Sequence, residues 1–313
     1  MITLRQLRYL DALAANGHFG RAAAAMGVTQ PALSMQVREL EEELGSPLVE
    51  RTAAGAALTA FGREVVARGS RILASVRELD ELARVHGEVL SGPVRLGVIP
   101  SIAPFLLPSL LAAAAERYRA AQIAIRESTT AVLVDELVAG GLDAIVVSVP
   151  LGDDRLEEAA AFEDPFLLAA PTGSPHARRS PALPRLIEAD ELLLLEDGHC
   201  LRDQALTVCR TIDPRRLRSF GATSLATIFH LVAAGQGITL VPEIAVDTGI
   251  LADPRLSIVR FAEPQPHRTV GVAWRRRSPR ERDFRALAEL LAEARRTLDR
   301  EAPLARKGRR RAG

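Results

Sequence analysis

The pattern of apolar residues changes once along the chain, at Ser91-Gly92-Pro93, and this change constrains the fold more than any other feature. Before the break, apolar residues recur at the spacing of helices. After it, short apolar runs that fit strands alternate with helical segments, a pattern typical of α/β domains with a mostly parallel sheet. The sequence therefore predicts an all-α N-terminal part followed by an α/β remainder.

Three short helices are predicted within residues 4–44. Asn16-Gly17 would end the first, and the second is rich in alanine. The third would begin near Pro31, which suits a first helical turn. A short helix, a glycine-containing turn and a second helix with polar residues at its start are typical of a helix-turn-helix. Two short strands around residues 53–56 would add a wing. The pattern alone also fits a small helical subdomain with no role in DNA binding.

The start of the third helix and the wing contain the candidate DNA contacts. Their side chains can bond to base edges in the major groove or to phosphates. The candidates are Thr29, Gln30, Pro31, Ser34, Gln36, Arg38, Arg51 and Thr52. The formal net charge of the whole chain is +1, which excludes a uniformly basic surface. Residues 1–38, however, carry four arginines against one aspartate, so one face of this segment could be positive.

The pattern in residues 60–90 predicts one long helix, which would pair with the same helix of a second copy of this chain. Two sets of residues repeat every seven positions, in the a/d relation of a coiled coil. The sets are Val65, Ile72, Leu79 and His86, and Gly69, Val76, Ala83 and Leu90. A dimer would present two recognition helices to a pseudo-palindromic site. The alternative is a helix that packs against the core of its own chain.

The chain has two cysteines, and both lie in one stretch that carries the most distinctive chemistry. A buried strand over residues 192–195 is predicted to end at Glu196-Asp197-Gly198, and a helix to begin at His199 or Cys200. The positive end of the helix dipole, together with His199 and Arg202, would favour a thiolate at Cys200. The alternative is that both cysteines are small core residues, the usual fate of a free cysteine.

The spacing of Cys200 and Cys209 limits how these two residues can form a disulfide. Nine residues of helix separate two Cα atoms by about 13 Å along the axis, whereas a disulfide needs them within about 7 Å. Pairing would therefore require remodelling of the segment, so that oxidation and a conformational change would be one event. A zinc site is a weak alternative, because the close Cys-x-x-Cys spacing of structural sites is absent. No metal and no cofactor is predicted.

The sequence also predicts the cellular location of the protein. Charges interrupt the N-terminus, and no apolar run approaches the ~18 residues of a membrane span. Two cysteines are too few for a disulfide-stabilised secreted scaffold. A cytoplasmic protein without membrane contact is expected. A basic tail is predicted at residues 303–313, either solvated or in non-specific contact with phosphates.

The N-terminal region resembles LysR-type transcriptional regulators. The resemblance is carried by VTQPALS at 28–34 and by residues 4–10, 19–23, 37–41, 44–45, 48–52 and 58–62, although Met35 stands where that family often has Arg. It implies a winged helix-turn-helix at 1–60, a linker and dimerisation helix at 61–91, and a bilobed domain like periplasmic binding proteins at 92–302. Lobe one would comprise 92–164 and 268–302, and lobe two 165–267, with the chain crossing near Asp164 and returning near Arg268.

The cysteine stretch resembles the peroxide-sensing branch of that family. The matching run is EDGHCLRDQA at 196–205 followed by Cys209, with further matches at 99–108, 222–225, 232–242 and 268–271. The resemblance implies that Cys200 is the peroxidatic thiol and Cys209 the resolving one. It implies a peroxide pocket, with residues nearby that support the redox chemistry. The pocket would comprise Ser101, where the branch usually has Thr, with Thr130, His199 and Arg268, and the supporting residues would be Arg202 and Asp203.

As a whole, the resemblance implies an activator of oxidative-stress genes rather than an enzyme. Its partners would be double-stranded promoter DNA, hydrogen peroxide and RNA polymerase, and it would form a homodimer through residues 61–90 and a homotetramer. A LysR-type regulator that senses a small organic effector, with inert cysteines, stays open. A thiol peroxidase is disfavoured, because an enzyme has no need of the elements predicted in residues 1–90.

Overall fold

The computed structural model describes residues 1–52, 55–84, 88–209, 221–248 and 253–308. Contacts between residues divide the chain into two compact units. The first unit comprises Met1–His86 with Glu136–Gly141, and the second comprises Gly87–Asp135 with Leu142–Gly313. Within the described ranges, no helix is both long enough and apolar enough to span a bilayer.

The first unit contains the three predicted helices and the two-stranded wing. Its elements are α1 (Leu4–Asn16), α2 (Phe19–Ala25), α3 (Gln30–Leu44), β1 (Val49–Thr52), β2 (Gly55–Leu58) and α4 (Ala60–Arg84). The helices pack around a fully buried apolar core that includes Leu10, Leu33, Leu40 and Leu48. Gly17 ends α1 in the left-handed conformation that glycine adopts without a steric penalty. The predicted helix-turn-helix architecture is therefore confirmed.

An acidic residue near the end of α3 positions the wing. One carboxylate oxygen of Glu41, Oε1, accepts hydrogen bonds from the backbone N–H groups of Leu48 and Val49, at 2.7 and 3.1 Å. β1 and β2 then pair antiparallel, with Val49 opposite Leu58. The carboxylate of Glu41 thus has a structural role, because it accepts hydrogen bonds from two backbone N–H groups shortly after α3 ends.

The long helix α4 ends at Arg84 in the described chain, and it exposes part of the predicted seam. Ile72 and Leu79 are 49% and 65% exposed. Leu90, however, is not on this helix. Its φ of +56° is incompatible with a right-handed helix, and its side chain is fully buried in the second unit. The prediction that Leu90 continues the seam is therefore wrong, whereas His86 lies outside the described residues.

The second unit is an α/β structure with two lobes. Its first elements are β3 (Gly92–Val98), α5 (Ala103–Arg117), β4 (Ala121–Glu127), α6 (Thr130–Val138, the last three residues of which belong to the first unit), β5 (Ala144–Val149), β6 (Leu156–Pro171) and α7 (Pro175–Arg178). After a 3₁₀ turn (Pro184–Leu186) come α8 (Cys200–Val208), α9 (Leu225–Ala233), β7 (Thr239–Pro242), α10 (Glu243–Asp247), β8 (Leu256–Arg260), β9 (His267–Arg275) and α11 (Glu281–Gly308). The strand order is β4-β3-β5-β9-β6-β7, with β8 also paired to β6.

One long strand, β6, joins the two lobes. Its first half pairs antiparallel with β9 as far as Pro165, and from Phe166 onward it pairs with β7 and β8. Asp164 and Arg268 face each other in register at this change of partners. The prediction of two α/β lobes is confirmed.

The expectation of a mostly parallel sheet needs correction. Among the described strands, parallel pairing is confined to β4-β3-β5, because the chain passes between the lobes along β6 and β9, which run in opposite directions. The predicted strand at residues 192–195 is buried, but it forms only a parallel bridge from Leu192 to Ile238. The sequence does not predict the first half of β6 as a strand, because it is rich in alanine and acidic residues and has no β-branched residue.

We expect Glu41→Ala to loosen the wing. The substitution leaves two backbone donors without their acceptor, which costs about 1–3 kcal/mol of the free energy of unfolding. Glu42→Ala is the matched control, because Glu42 is exposed and forms only a surface pair with Arg38, so a change within about 0.5 kcal/mol is expected. Urea unfolding and amide exchange at Leu48 and Val49 measure both effects. Equal losses in the two variants would contradict this account.

Candidate functional site

A small pocket in the second unit brings together four of the predicted site residues. Its walls are Ile99, Pro100, Ser101, Thr129, Thr130, Leu195, His199, Cys200 and Leu201. The cavity measures about 10 Å³, close to the space that one water molecule needs. The starts of α6 and α8 both contribute to it, through Thr130 and Cys200. Such a pocket can accept only a very small polar ligand.

A glycine turn places Cys200 at the first position of α8. Gly198 has a φ of +91°, which glycine adopts at no steric cost, and His199 follows in an extended conformation as the N-cap. The side chain of His199 does not cap the helix, and it lines the pocket instead. Cys200 is half-buried and free. At this end of a helix, unpaired N–H groups and the helix dipole stabilise negative charge.

Arg268 reaches the pocket through Ser101. Its Nη1 donates to Ser101 Oγ at 2.7 Å, and its Nη2 donates to the carbonyl oxygen of Ser101 at 3.0 Å. On the other side, its Nε donates to Asp164 Oδ2 at 2.9 Å. Arg268 therefore orients Ser101 from behind the pocket wall.

Asp164, predicted only as the point where the chain crosses to lobe two, is a further functional candidate. The side chains of Asp164 and Arg268 are both almost completely removed from solvent. Burial raises the pKa of Asp164, while the charge of Arg268 opposes that shift. Asp164 Oδ1 also accepts the N–H of Ile244 at the start of α10. The register of β6 and β9 reveals this pair, which no local motif could indicate.

Two hydroxyl groups line the pocket and differ in their hydrogen bonding. Ser101 Oγ accepts a hydrogen bond from Arg268, so its own proton is available to a ligand. Thr130 Oγ1 is buried and has no hydrogen-bond partner among the described residues. A buried hydroxyl without a partner is energetically costly unless a ligand or water completes it. Together they can hold a ligand that both accepts and donates hydrogen bonds.

The two residues predicted to support the redox chemistry lie on the first turn of α8. Arg202 pairs with Asp197 at 2.7 Å and donates to the carbonyl oxygen of Leu195 at 3.1 Å. It thus braces the turn that precedes Cys200. Asp203 is exposed and does not line the pocket.

Cys209 lies at the opposite end of α8, in a different environment. It is free, 1% exposed, and burial raises the pKa of its thiol to about 11. The segment between the two cysteines is helical, so about 13 Å along the axis separates them. In this conformation the two sulfur atoms cannot approach bonding distance.

The candidate DNA contacts cluster at the start of α3. Thr29, Gln30, Pro31 and Arg38 are exposed, and Thr29 does not cap the helix with its side chain. Ser34 is partly buried, and so is Gln36, which donates to Glu39 at 2.6 Å. The side chains of residues 51–52, which include the predicted contacts Arg51 and Thr52, lie outside the description.

No metal centre accompanies these sites in the part of the chain that the structure describes. Groups of three or more His, Cys, Asp or Glu side chains arranged to hold an ion are absent there. The pair of His199 and Cys200 has no third ligand of that kind among the described residues.

Two family models match the chain. Residues 4–63 match the bacterial regulatory helix-turn-helix protein, lysR family, and residues 87–296 match the LysR substrate binding domain.

Similar proteins cover almost the whole chain. A probable hydrogen peroxide-inducible genes activator from Streptomyces viridosporus is 39% identical over 95% of each chain. EstR, an HTH-type transcriptional regulator from Acinetobacter baylyi, is 35% identical over 95% of this chain and 98% of its own. A cysteine-to-aspartate variant of full-length OxyR from Pseudomonas aeruginosa is similar in structure, with a TM-score of 0.78, 35% identity and coverage of 93% and 95%.

We expect Cys209 to make the stability of the reduced protein depend on pH under alkaline conditions. Its pKa is raised from 9.0 to about 11 in the folded state, so folding favours the neutral thiol. This contribution is complete below about pH 9 and is lost as the pH rises through 11, in total about 2–3 kcal/mol. Urea unfolding with reductant, at pH 7.5 and 10.5, should show a larger loss for the native protein than for Cys209→Ala. Equal losses would contradict it.

Proposed function

This chain belongs to the LysR family of DNA-binding transcriptional regulators, and we propose that it senses hydrogen peroxide through Cys200 and Cys209 to activate oxidative-stress genes. The observation that carries the proposal is the pocket, in which Cys200 meets the hydroxyls of Ser101 and Thr130. A space of about 10 Å³ suits a molecule as small as a peroxide. The Streptomyces relative is named as a probable activator of hydrogen peroxide-inducible genes.

In the first step, Cys200 acts as the peroxidatic thiol. Its thiolate attacks one oxygen of hydrogen peroxide, the O–O bond breaks, and the sulfur is oxidised to sulfenic acid. The other oxygen leaves as water after it takes up a proton. Ser101 would donate a hydrogen bond to this oxygen, because its hydroxyl oxygen already accepts one from Arg268. Thr130 and His199 complete the pocket that orients the peroxide.

In the second step, Cys209 acts as the resolving thiol. Its sulfur attacks the sulfenic acid, a disulfide forms, and a second water is released. The helical separation of about 13 Å means that α8 must unwind first. Burial also keeps the pKa of Cys209 near 11, so the thiol becomes an effective nucleophile only after it leaves its site. Oxidation is thereby coupled to a change of fold in lobe two.

The conformational change would act on DNA through the other domains. In this proposal residues 1–60 bind promoter DNA, the helix α4 forms the homodimer, and residues 92–302 sense peroxide. Ile72 and Leu79 on α4 offer the exposed apolar surface that such pairing would cover. Remodelling of lobe two alters the packing of dimers within a homotetramer, and so the spacing of the helix-turn-helix pairs. RNA polymerase is the partner that responds, and cytoplasmic dithiols reverse the switch.

A second candidate function is supported by a larger cavity beside the pocket. Its volume is about 130 Å³, and its mainly apolar walls share Pro100 and Leu195 with the pocket. The walls are Pro100, Pro104, Phe105, Glu127, Leu195, Thr223, Ser224, Leu225 and Ala226. Mainly apolar walls with a few polar groups are typical of sites that bind small organic molecules. In that case the cysteines would be inert, and Cys200→Ser would leave the promoter response intact.

The decisive experiment treats the purified, reduced protein with a low concentration of hydrogen peroxide. Mass spectrometry should find a bond between Cys200 and Cys209, and the DNA footprint should change with it. Cys209→Ser should retain a sulfenic acid at Cys200, which dimedone traps, whereas Cys200→Ser should remain unmodified. Absence of the bond, together with an intact response in Cys200→Ser, would replace the redox function by the effector function.

We expect Thr130→Val to slow the oxidation of Cys200 without lowering the stability of the protein. Val preserves the shape and removes a hydroxyl that has no partner in the described chain, so stability should be unchanged or higher. Loss of its hydrogen bond to peroxide should slow the oxidation of Cys200 about tenfold, measured by dimedone trapping over time. Thr207→Val is the control, since Thr207 lies on the exposed side of α8. The same rate in Thr130→Val and the native protein would remove Thr130 from the mechanism.

A further inference from the structure

The recognition helix exposes an apolar side chain that the proposed function does not explain. Met35 lies on α3 and is 56% exposed, although the segment around it carries polar candidates for DNA contact. Met26, in contrast, packs against the core of the same unit. Met35 is not among the side chains that pack there. Packing within the chain therefore does not account for Met35.

The position of Met35 in α3 places it on the exposed side of that helix. Leu33, Val37 and Leu40 form the buried face of α3. Pro31, Met35 and Arg38 follow one another at intervals of four and three residues on the opposite, exposed side. In a helix-turn-helix, the first turns of the second helix enter the major groove and contact base edges. Met35, in the second turn, stands within that reach.

A methionine side chain can recognise only one feature of the major groove well. It has no hydrogen-bond donor, and its thioether is a weak acceptor. The distinctive apolar group on the groove floor is the C5-methyl of thymine. The flexible, polarisable side chain of Met adapts readily to such a contact.

We propose that Met35 is a specificity-determining residue that reads a thymine methyl group in each half-site. This inference rests on the proposed role of α3 as the DNA reader. Arg38 supports the arrangement, because its side chain is 80% exposed and its surface pair with Glu42 contributes little. Arg38 can therefore turn to a phosphate and hold Met35 in register over the bases.

The experiment removes the methyl group without changing the base pairing. The full-length reduced protein first selects its binding sequence from a random duplex library. Each thymine of the selected half-site is then replaced by deoxyuridine, which lacks only the C5-methyl. At one position the affinity of the native protein should fall about fourfold per half-site, and about fifteenfold when both half-sites are changed.

Substitution of Met35 then assigns the contact. Met35→Ala should bind the thymine and deoxyuridine duplexes equally at that position, with its fold intact by circular dichroism because the site is exposed. Met35→Arg should select guanine there, since Arg pairs with the O6 and N7 of guanine. Leu186→Ala, another exposed apolar residue but in the second unit, should retain the sensitivity of the native protein.

The outcomes separate this inference from the proposed function. Sequence selection by the native protein without any sensitivity to deoxyuridine would overturn the role of Met35 alone, and Met35 would then be an ordinary exposed methionine. Sensitivity that persists in Met35→Ala would likewise overturn it, because another residue would read the methyl. Failure to select any sequence would overturn the role of α3 together with that of Met35.

Discussion

The buried ion pair between Arg268 and Asp164 is the interaction on which both the lobes and the pocket depend. It lies where β6 changes partners, so it joins the strands that carry the chain between lobes. Arg268 also holds Ser101 in the pocket wall, and Asp164 holds the start of α10. Removal of one member of such a pair leaves a buried charge uncompensated, which typically costs 3–5 kcal/mol. The same contact therefore maintains architecture and pocket geometry together.

The reduced fold also keeps its two cysteines in different environments. Cys200 lies half-buried at the start of α8, in a pocket that it shares with the hydroxyls of Ser101 and Thr130. Cys209 lies at the other end of the same helix, buried, with the pKa of its thiol raised. Both distance and desolvation oppose their reaction, and the proposed unwinding of α8 would relieve both. This shared obstacle is what would make a chemical oxidation into a conformational signal.

Local patterns predicted well those elements whose limits depend on nearby residues. Gly17 and Gly45 end α1 and α3 in left-handed caps, and the alternation after residue 91 indicated the α/β unit. Patterns failed where distant partners decide. The first half of β6 is rich in alanine and acidic residues and has no β-branched residue, so it does not resemble a strand, but pairing with β9 makes it one. Leu90 fits the heptad pattern, but it lies in a buried turn outside the helix, where its backbone N–H donates a hydrogen bond to the side chain of Asp283.

The sequence by itself determined the winged helix-turn-helix, the start of α8 to within one residue, at His199 or Cys200, and the nine-residue spacing of the cysteines, because helical period, caps and chain distance are local quantities. Only the tertiary structure decided that Ser101 and Thr130 share a pocket with Cys200 and that Arg268 pairs with Asp164. It also decided that Arg202 braces a turn and that Cys209 is desolvated. These properties arise from groups far apart in the chain, whose distances and burial are set by the packing of the sheets and helices.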